Sequence, residues 1–104
     1  MPERYRINIT DEALEHIRTI FEYISQHSRL NAAKVIEKLL NEIDDLGMMP
    51  GRFRVAGRSK GRGTPVHARV VRPYLVYYRI DEPGRTVFIT AVRHGARKQP
   101  RKFD

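Results

Sequence analysis

Three short runs rich in Val, Ile, Tyr and Phe follow one another between residues 66 and 97. They are separated by Arg72-Pro73 and by residues 81–84, whose Asp, Glu, Pro and Gly are typical of tight turns. This pattern predicts three consecutive antiparallel strands joined as a meander. The middle run, residues 75–80, is mostly apolar or aromatic on both faces, so we expect it to lie in the centre of the sheet with a paired strand on each side.

Alternation along these strands predicts which side chains share a face of the sheet. In the middle strand one face carries Leu75, Tyr77 and Arg79, and the other carries Val76, Tyr78 and Ile80. In the last strand one expected set is Phe88, Thr90, Val92 and His94, and the opposite set is Val87, Ile89, Ala91 and Arg93. One face must meet the rest of the core, and the pattern leaves open which one it is.

The N-terminal segment predicts a strand that runs into a helix. Residues 4–10 alternate so that Tyr5, Ile7 and Ile9 fall on one face, as in a half-buried strand. Thr10 is suited to cap a helix, since its hydroxyl can accept a hydrogen bond from a backbone N–H of the first turn. Apolar residues then recur every three or four positions, which predicts an amphipathic helix that ends near residues 26–28.

A second apolar series, from residue 32 to residue 46, predicts another amphipathic helix. Asn31 is the expected N-cap, and Gly47 followed by Pro50 is expected to end the helix. Because the break between the two helices is short, they should form an antiparallel hairpin. Each apolar stripe is too narrow for a helix buried all round, so we expect the hairpin to cover one face of the sheet with its acidic side in water.

The segment between the second helix and the meander is rich in arginine and glycine. Residues 52–55 predict a short strand, and residues 57–63 form a basic, glycine-rich loop. The loop lacks the order of glycine, lysine and hydroxyl residues that binds nucleotide phosphates in a P-loop. We therefore expect a mobile loop whose cations can contact phosphates electrostatically. After the meander, the residues from Arg93 onward are expected to form a basic tail.

The chain of 104 residues has the length of a single domain, residues 1–104. It has no cysteine, and its four histidines are scattered, so we expect neither a disulfide nor a bound metal or other cofactor. No apolar run approaches the ~20 residues of a membrane span, and the N-terminus does not have the pattern of a signal peptide. These features predict a soluble cytoplasmic protein without a membrane partner.

Positive charge is concentrated in the second half of the chain. Residues 1–50 carry six Lys or Arg against nine Asp or Glu, whereas residues 51–104 carry fourteen against three. Such asymmetry indicates that the second half meets an anionic partner, either a nucleic acid or an acidic protein surface. Arginine accounts for eleven of those fourteen cations, which favours planar, directed contacts.

Cleavage of RNA through its 2′-hydroxyl would need a base, an acid and cations that bind the phosphate. Cations are abundant, but the basic half has only two histidines, His67 and His94, as candidate proton carriers. A histidine considered alone more often has a structural or surface role, so the residues by themselves do not establish catalysis.

Several motifs, in this order, resemble the ParE/RelE superfamily of bacterial toxins. They are the segment from Pro73 to Asp81, which contains Leu-Val-Tyr, and the last strand that runs into His94-Gly95-Ala96-Arg97. The second motif and the long helix pair look most like the ParE, or plasmid-stabilisation, branch. The resemblance implies an α+β fold of the RelE/ParE type: an N-terminal strand, a two-helix antiparallel hairpin, a three- to four-stranded antiparallel meander and a basic C-terminal tail.

Members of this superfamily have two activities, and the resemblance bears on both. RelE-type toxins cleave mRNA in the ribosome and have an arginine directly before the Leu-Val-Tyr motif, where this chain has Tyr74. For such a metal-free endoribonuclease, the resemblance implies these catalytic candidates: His94, His67, Arg69, Arg79 and Arg97. ParE-type toxins lack that catalytic set and inhibit DNA gyrase, which stops replication. The tyrosine favours the ParE-like interpretation.

A ParE-like toxin would not be an enzyme, and its functional residues would bind the target. The candidates are cations of the last strand, the tail and the neighbouring strands: Arg69, Arg72, Arg79, Arg93, His94, Arg97 and Lys98. The resemblance implies a ParD-like antitoxin with an acidic C-terminal segment as one partner. The other is DNA gyrase, or the ribosome and mRNA in the RelE alternative. A plain nucleic-acid-binding domain is a third interpretation, and homodimer formation stays open.

Overall fold

A computed structural model describes residues 4–61 and 63–95 as two α-helices packed on a five-stranded sheet. The elements are β1 (Arg6–Ile9), α1 (Asp11–Ser25), α2 (Arg29–Asp44), β2 (Val55–Arg58), β3 (Pro65–Val71), β4 (Tyr74–Asp81) and β5 (Thr86–His94). The strands lie in the order β1-β5-β4-β3-β2, with β1 parallel to β5. The α+β class and the meander are confirmed, and β4 is central as predicted, paired antiparallel with β3 and β5.

The two α-helices cover one face of this sheet, as predicted. Ala13 and Ile17 of α1 and Leu39 and Ile43 of α2 are buried against one row of strand residues. That row comprises Val71, Tyr74, Val76, Tyr78, Val87, Ile89 and Val92. Burial of apolar surface stabilises the fold by roughly 25 cal/mol for each Å² removed from water. Within the described residues, neither helix is long and apolar enough to cross a membrane.

Thr10 joins β1 to α1 and caps the helix as predicted. Its Oγ1 accepts a hydrogen bond from the N–H of Ala13 at 3.2 Å and donates to the carbonyl of Ile89 in β5 at 2.8 Å. The backbone N–H of Thr10 donates to the same carbonyl at 3.1 Å. The residue that starts α1 therefore also attaches the helix to β5.

The predicted ends of α2 were wrong by a few residues. Its N-cap is Ser28, not Asn31, because the Oγ of Ser28 accepts the N–H of Asn31 at 3.0 Å and so satisfies the first turn. The helix ends at Asp44, and a 3-10 turn, Asp45–Gly47, follows it. The carbonyl of Gly47 accepts the N–H of Tyr5 at 2.8 Å. This glycine therefore serves a close contact with the N-terminal segment.

The expected strand at residues 52–55 was also misplaced. Pro50–Arg52 forms a 3-10 turn, and β2 begins only at Val55, so the first part of the expected basic loop belongs to a strand. The reason is a tertiary contact, in which the buried hydroxyl of Tyr78 donates to the carbonyl of Pro50 at 2.5 Å. This hydrogen bond holds the turn against the core, and the strand can start only after it.

One extra residue in β5 breaks the predicted alternation. The consecutive residues Tyr77 and Tyr78 of β4 lie opposite Ala91 and Ile89, so Thr90 has no residue opposite it. Such an extra residue forms a β-bulge, which bends the strand and increases its twist. The hydroxyl of Thr90 donates to the carbonyl of Tyr77 at 3.3 Å across the bulge.

The bulge changes which residues of β5 share a face. Val87, before the bulge, and Val92, after it, both pack against the helices, although strict alternation placed them on opposite faces. His94 lies opposite the core residue Tyr74, so it is on the helix-facing side and Arg93 is on the other. The predicted faces of the second half of β5 were wrong relative to the first half, because a one-residue shift moves every later side chain to the opposite face.

Gly47→Ala should lower the free energy of unfolding by about 1–3 kcal/mol, as overpacking typically does. An added Cβ would lie 2.9 Å from the carbonyl oxygen of Tyr5, so the backbone of one segment would have to move. Gly51→Ala is the matched control, because a Cβ there meets no atom within 4 Å. Its effect should stay within about 0.5 kcal/mol. Urea unfolding measures both values, and equal stability of the two variants would contradict the close contact.

Candidate functional site

Strand pairing divides the predicted site residues between the two faces of the sheet. Residues directly opposite each other on antiparallel strands share a face. His67 and Arg69 lie opposite Tyr78 and Val76, two core residues that pack against the helices. Together with His94, they are therefore on the helix-facing side.

The other side of the sheet, which we call the outer face, carries Arg79 and Arg93. Arg72 is exposed in the turn between β3 and β4. Arg97 and Lys98 lie outside the described residues, so their role stays a prediction. The candidates for target binding and for RNA cleavage are thus not assembled on a single surface in the part of the chain that the structure describes.

Arg69 is engaged inside the protein. Its Nη1 donates to the carbonyl of Glu42 and to the carboxylate of Asp45, each at 2.9 Å, and its Nη2 forms an ion pair with the Glu42 carboxylate. The guanidinium also lies 4.6 Å from the ring centroid of Phe53. The hydrogen bond from Arg69, with the charge of Arg52, holds the pKa of Asp45 below its ordinary value. Arg69 therefore attaches the end of α2 to the sheet.

The two candidate proton carriers also have partners within the fold. The Nδ1 of His67 lies 2.9 Å from the carbonyl of Phe53, a contact in which the ring nitrogen donates, and the ring stacks on Tyr78 at 5.2 Å between centroids. The ring of His94 meets that of Tyr74 edge-on at 5.6 Å. These contacts are those of histidines that support the packing of the helix-facing side.

The outer face combines a small apolar cluster with cations. Val66, Ala68 and Tyr77 are buried there. Burial raises the pKa of Tyr77, and the charges of Arg54 and Arg93 oppose that rise. The carbonyl of Arg54 accepts the N–H of Ala68 at 3.0 Å, so its backbone adjoins this cluster. Arg54 was not among the predicted site residues, because it lies in the segment whose strand was misplaced.

Beside this cluster the outer face opens into a cleft of about 350 Å³. Its charged residues are Arg79 from β4, Lys60 from the turn between β2 and β3, and Glu12 from the first turn of α1. The guanidinium of Arg79 lies 4.1 Å from the ring centroid of Phe88, which supports it from one side. The sequence gives no sign of this arrangement, because three distant segments supply the residues and no local motif relates the segments.

His16 occupies a special position at the edge of β5. Beyond Ile89 this strand has no partner in β1, and the N–H of Val92 donates instead to the Nδ1 of His16 at 3.2 Å. Burial, and secondly the charge of Arg93, lower the pKa of His16, so the neutral imidazole that can accept this hydrogen bond is favoured. In the sequence, His16 is only one of four scattered histidines, and no local pattern indicates its role.

The outer face can bind anions, but it does not bring a base and an acid together. Among residues 4–61 and 63–95, it has Arg54, Arg79 and Arg93 but neither of the candidate histidines, which lie on the helix-facing side. No cluster of three His, Asp or Glu side chains that could hold a metal ion occurs among the same residues. Charge, hydroxyl groups and a small apolar patch make this face suited to binding.

The chain was compared with known families and solved structures. Residues 7–99 match the family described as the ParE toxin of type II toxin–antitoxin system, parDE. The fold resembles the chromosomal ParDE system from P. aeruginosa, with a TM-score of 0.67 and 19% identity over 88% of this chain and 96% of that chain. No curated protein sequence matches the chain significantly.

Two RelE-type structures are also similar. The RelBE2 toxin–antitoxin complex from Mycobacterium tuberculosis has 28% identity and a TM-score of 0.54, over 91% of this chain and 95% of that chain. The archaeal RelE–RelB complex from Pyrococcus horikoshii has 14% identity and a TM-score of 0.63, over 91% of this chain and 99% of that chain. At such low identity, the P. aeruginosa and P. horikoshii likenesses bear on the fold alone.

Fold and family match together define this protein as the toxin of a type II toxin–antitoxin system in the ParE/RelE superfamily. The chain belongs to the ParE toxin family, whose pattern spans nearly all of its length. The predicted superfamily is thereby confirmed. The RelBE2 and RelE–RelB structures are complexes of a toxin with its antitoxin.

Arg69→Met should destabilise the protein by about 1–3 kcal/mol, because it leaves the carbonyl and carboxylate of Glu42 without their charged donor. Arg93→Gln is the matched control, since Arg93 is exposed and no ion pair involving it occurs among the described residues. Its effect should stay within about 0.5 kcal/mol. Thermal and urea unfolding test this difference, and an Arg69→Met variant as stable as the parent would contradict a stabilising role for Arg69.

Stability should fall as the pH drops below the ordinary histidine pKa of 6.5, in part through His16. The pKa of His16 is lowered in the folded state, so the unfolded chain binds the proton more tightly and acid favours unfolding. His16→Asn keeps an acceptor near the position of Nδ1 but cannot be protonated. The variant should therefore lose less stability than the parent between pH 7 and pH 5 in urea titrations, and parallel pH profiles would contradict this role.

Proposed function

We propose that this toxin is ParE-like and acts by binding DNA gyrase, without cleaving RNA. The observation that supports this most directly is the division of the candidate residues between the two faces of the sheet. Transfer of protons to and from RNA needs a base and an acid within hydrogen-bond reach of the phosphate-binding cations. His67 and Arg69 are engaged within the fold, with Phe53, Glu42 and Asp45. Arg79 and Arg93 lie on the outer face instead.

The binding surface in this proposal is the outer face. Arg54, Arg79 and Arg93 stand beside the buried Tyr77, so positive charge surrounds an apolar centre. A surface of this kind suits a protein–DNA assembly, because the cations meet phosphates or acidic side chains while the apolar centre gives a dry contact. The gyrase–DNA complex of the ParE-like interpretation offers both.

The antitoxin in this proposal is ParD-like and carries an acidic C-terminal segment. Charge complementarity would draw that segment to the basic half of the toxin and speed association. The antitoxin and gyrase would then compete for the same cations, which accounts for neutralisation without any chemical step. Binding in the cytoplasm follows from this target.

The RelE-type alternative retains one observation in its favour. The RelBE2 complex from M. tuberculosis is more similar in sequence, at 28% identity, than the ParDE structure at 19%. In that alternative the target is mRNA on the ribosome. The catalytic residues would be His67, His94, Arg69, Arg79 and Arg97.

A gyrase assay and a translation assay with the same purified toxin separate the two functions. We expect inhibition of DNA supercoiling, with trapped cleaved DNA, and no site-specific cut in ribosome-bound mRNA. Arg79→Gln combined with Arg93→Gln should weaken the inhibition about tenfold or more, because both charge-assisted contacts are lost. His94→Gln should leave it unchanged, and Lys38→Gln on α2 controls for the loss of any positive charge.

Cleavage of mRNA at ribosomal positions, with gyrase unaffected, would overturn the proposal and assign His94 and the arginines to catalysis. Circular dichroism of each variant distinguishes loss of binding from loss of folding.

A further inference from the structure

The cleft on the outer face is large enough for a small ligand and is lined by polar and charged side chains. Its volume of about 350 Å³ lies within the range of ~300–1,000 Å³ typical of ligand pockets. Three segments form its walls: the start of α1, the turn between β2 and β3, and the bulged region of β4 and β5. The gyrase proposal uses the cations of this face but gives the cleft no ligand of its own.

Among the described residues, the cleft offers a ligand two cations, Arg79 and Lys60. Arg79 is partly buried and lies against Phe88, so its guanidinium is held in one orientation. Lys60 is exposed at the rim. Neither forms an ion pair within residues 4–61 and 63–95, whereas Arg69 and Arg52 do. The lining residues also include one carboxylate, that of Glu12, which partly offsets these two positive charges.

The turn between β2 and β3 adds hydroxyl groups in fixed positions. Ser59 is 8% exposed, and its Oγ accepts the N–H of Thr64 at 3.1 Å, so the hydroxyl proton is free to be donated. The N–H of Ser59 donates to the carbonyl of Thr64 at 2.7 Å, and Arg58 donates to the carbonyl of Gly63 at 2.7 Å. These bonds join the two ends of the turn, so Ser59 and Thr64 are held next to each other before any ligand arrives.

Not every hydroxyl in the cleft can donate. Thr10 and Thr90 already donate to the carbonyls of Ile89 and Tyr77, at 2.8 Å and 3.3 Å. The donors that remain for a ligand are therefore the side chains of Ser59, Lys60, Thr64 and Arg79. They come from two separate elements, so they approach the cleft from different directions.

We propose that this cleft binds the phosphate group of a nucleotide. A phosphate monoester is tetrahedral, so it can accept hydrogen bonds from several directions, and its charge of about −1.5 to −2 matches the two cations. A carboxylate is planar with a single charge, and Arg79 alone would satisfy it. The volume exceeds that of a bare phosphate and admits part of the attached nucleoside, for which Glu12 is a hydrogen-bond acceptor.

The nucleotide is either free or the 5′-phosphorylated end of a nucleic-acid strand. The inference does not depend on gyrase being the target, because binding at the cleft can be measured without gyrase. Failure of one proposal is therefore distinguishable from failure of the other.

Calorimetric titration of the full-length chain tests the proposal. Adenosine 5′-monophosphate should bind, and adenosine, which lacks the phosphate, should bind at least about tenfold more weakly. Lys60→Met should weaken binding of the monophosphate about tenfold. Glu12→Gln should strengthen it about two- to tenfold, because it removes a like charge from the cleft. Lys38→Met, on the opposite side of the molecule in α2, should change nothing.

The opposite effects of two exposed residues keep this test independent of folding. Lys60 and Glu12 are both exposed, so neither substitution should unfold the protein, whereas Arg79→Met also removes packing on Phe88 and needs a stability control. Equal binding of adenosine and its monophosphate, or a Lys60→Met variant with unchanged affinity, would overturn the proposal.

Two further titrations identify the source of the phosphate. A short oligonucleotide with a 5′-phosphate that binds more tightly than the free monophosphate assigns the cleft to a strand end, and the reverse order assigns it to a free nucleotide. Both results support the proposal. A glutamate-rich peptide that binds in a manner sensitive to Lys60→Met, while the monophosphate does not bind, would refute it.

Discussion

Thr90, the extra residue of β5, determines which side chains of the last strand face the helices and which face outward. The bulge in β5 lies opposite Tyr77 and Tyr78 of the central strand. Tyr78 belongs to the row that packs against the helices, and Tyr77 belongs to the outer face. The start of α1 holds the neighbouring backbone, since Thr10 donates twice to the carbonyl of Ile89. Without the bulge, regular alternation would turn Val92 away from the core and place Arg93 beneath the helices.

The same region explains how α1 completes the sheet. β1 pairs with β5 only up to Ile89, and an unpaired strand edge beyond it would leave backbone donors unsatisfied. His16 accepts the N–H of Val92 and so replaces a strand partner with a helix side chain. A half-buried neutral imidazole fits this task, because it offers an acceptor at one nitrogen without bringing a charge against the core.

Formal charge overstates the cationic surface of this toxin. Arg69 and Arg52 neutralise the acidic end of α2, and their contacts with Glu42 and Asp45 stabilise the fold. Among the described residues, Arg54, Arg79 and Arg93 remain for a partner on the outer face, around Tyr77 and the adjoining cleft. Strand register therefore separates Arg69, which holds α2 on the sheet, from Arg79 and Arg93, which face away from the helices.

The sequence by itself determined the meander, its turns, the central position of β4 and the cap of α1 by Thr10, because each depends on the local period of apolar residues or on one turn. It also indicated the superfamily, through motifs near Leu75 and His94. Tertiary structure alone decided the bulge at Thr90, the pairing of Arg69 with α2 and the cleft around Arg79. Each of these depends on contacts between segments distant in sequence, and a one-residue bulge leaves the local pattern unaltered while it reverses the face of every residue that follows.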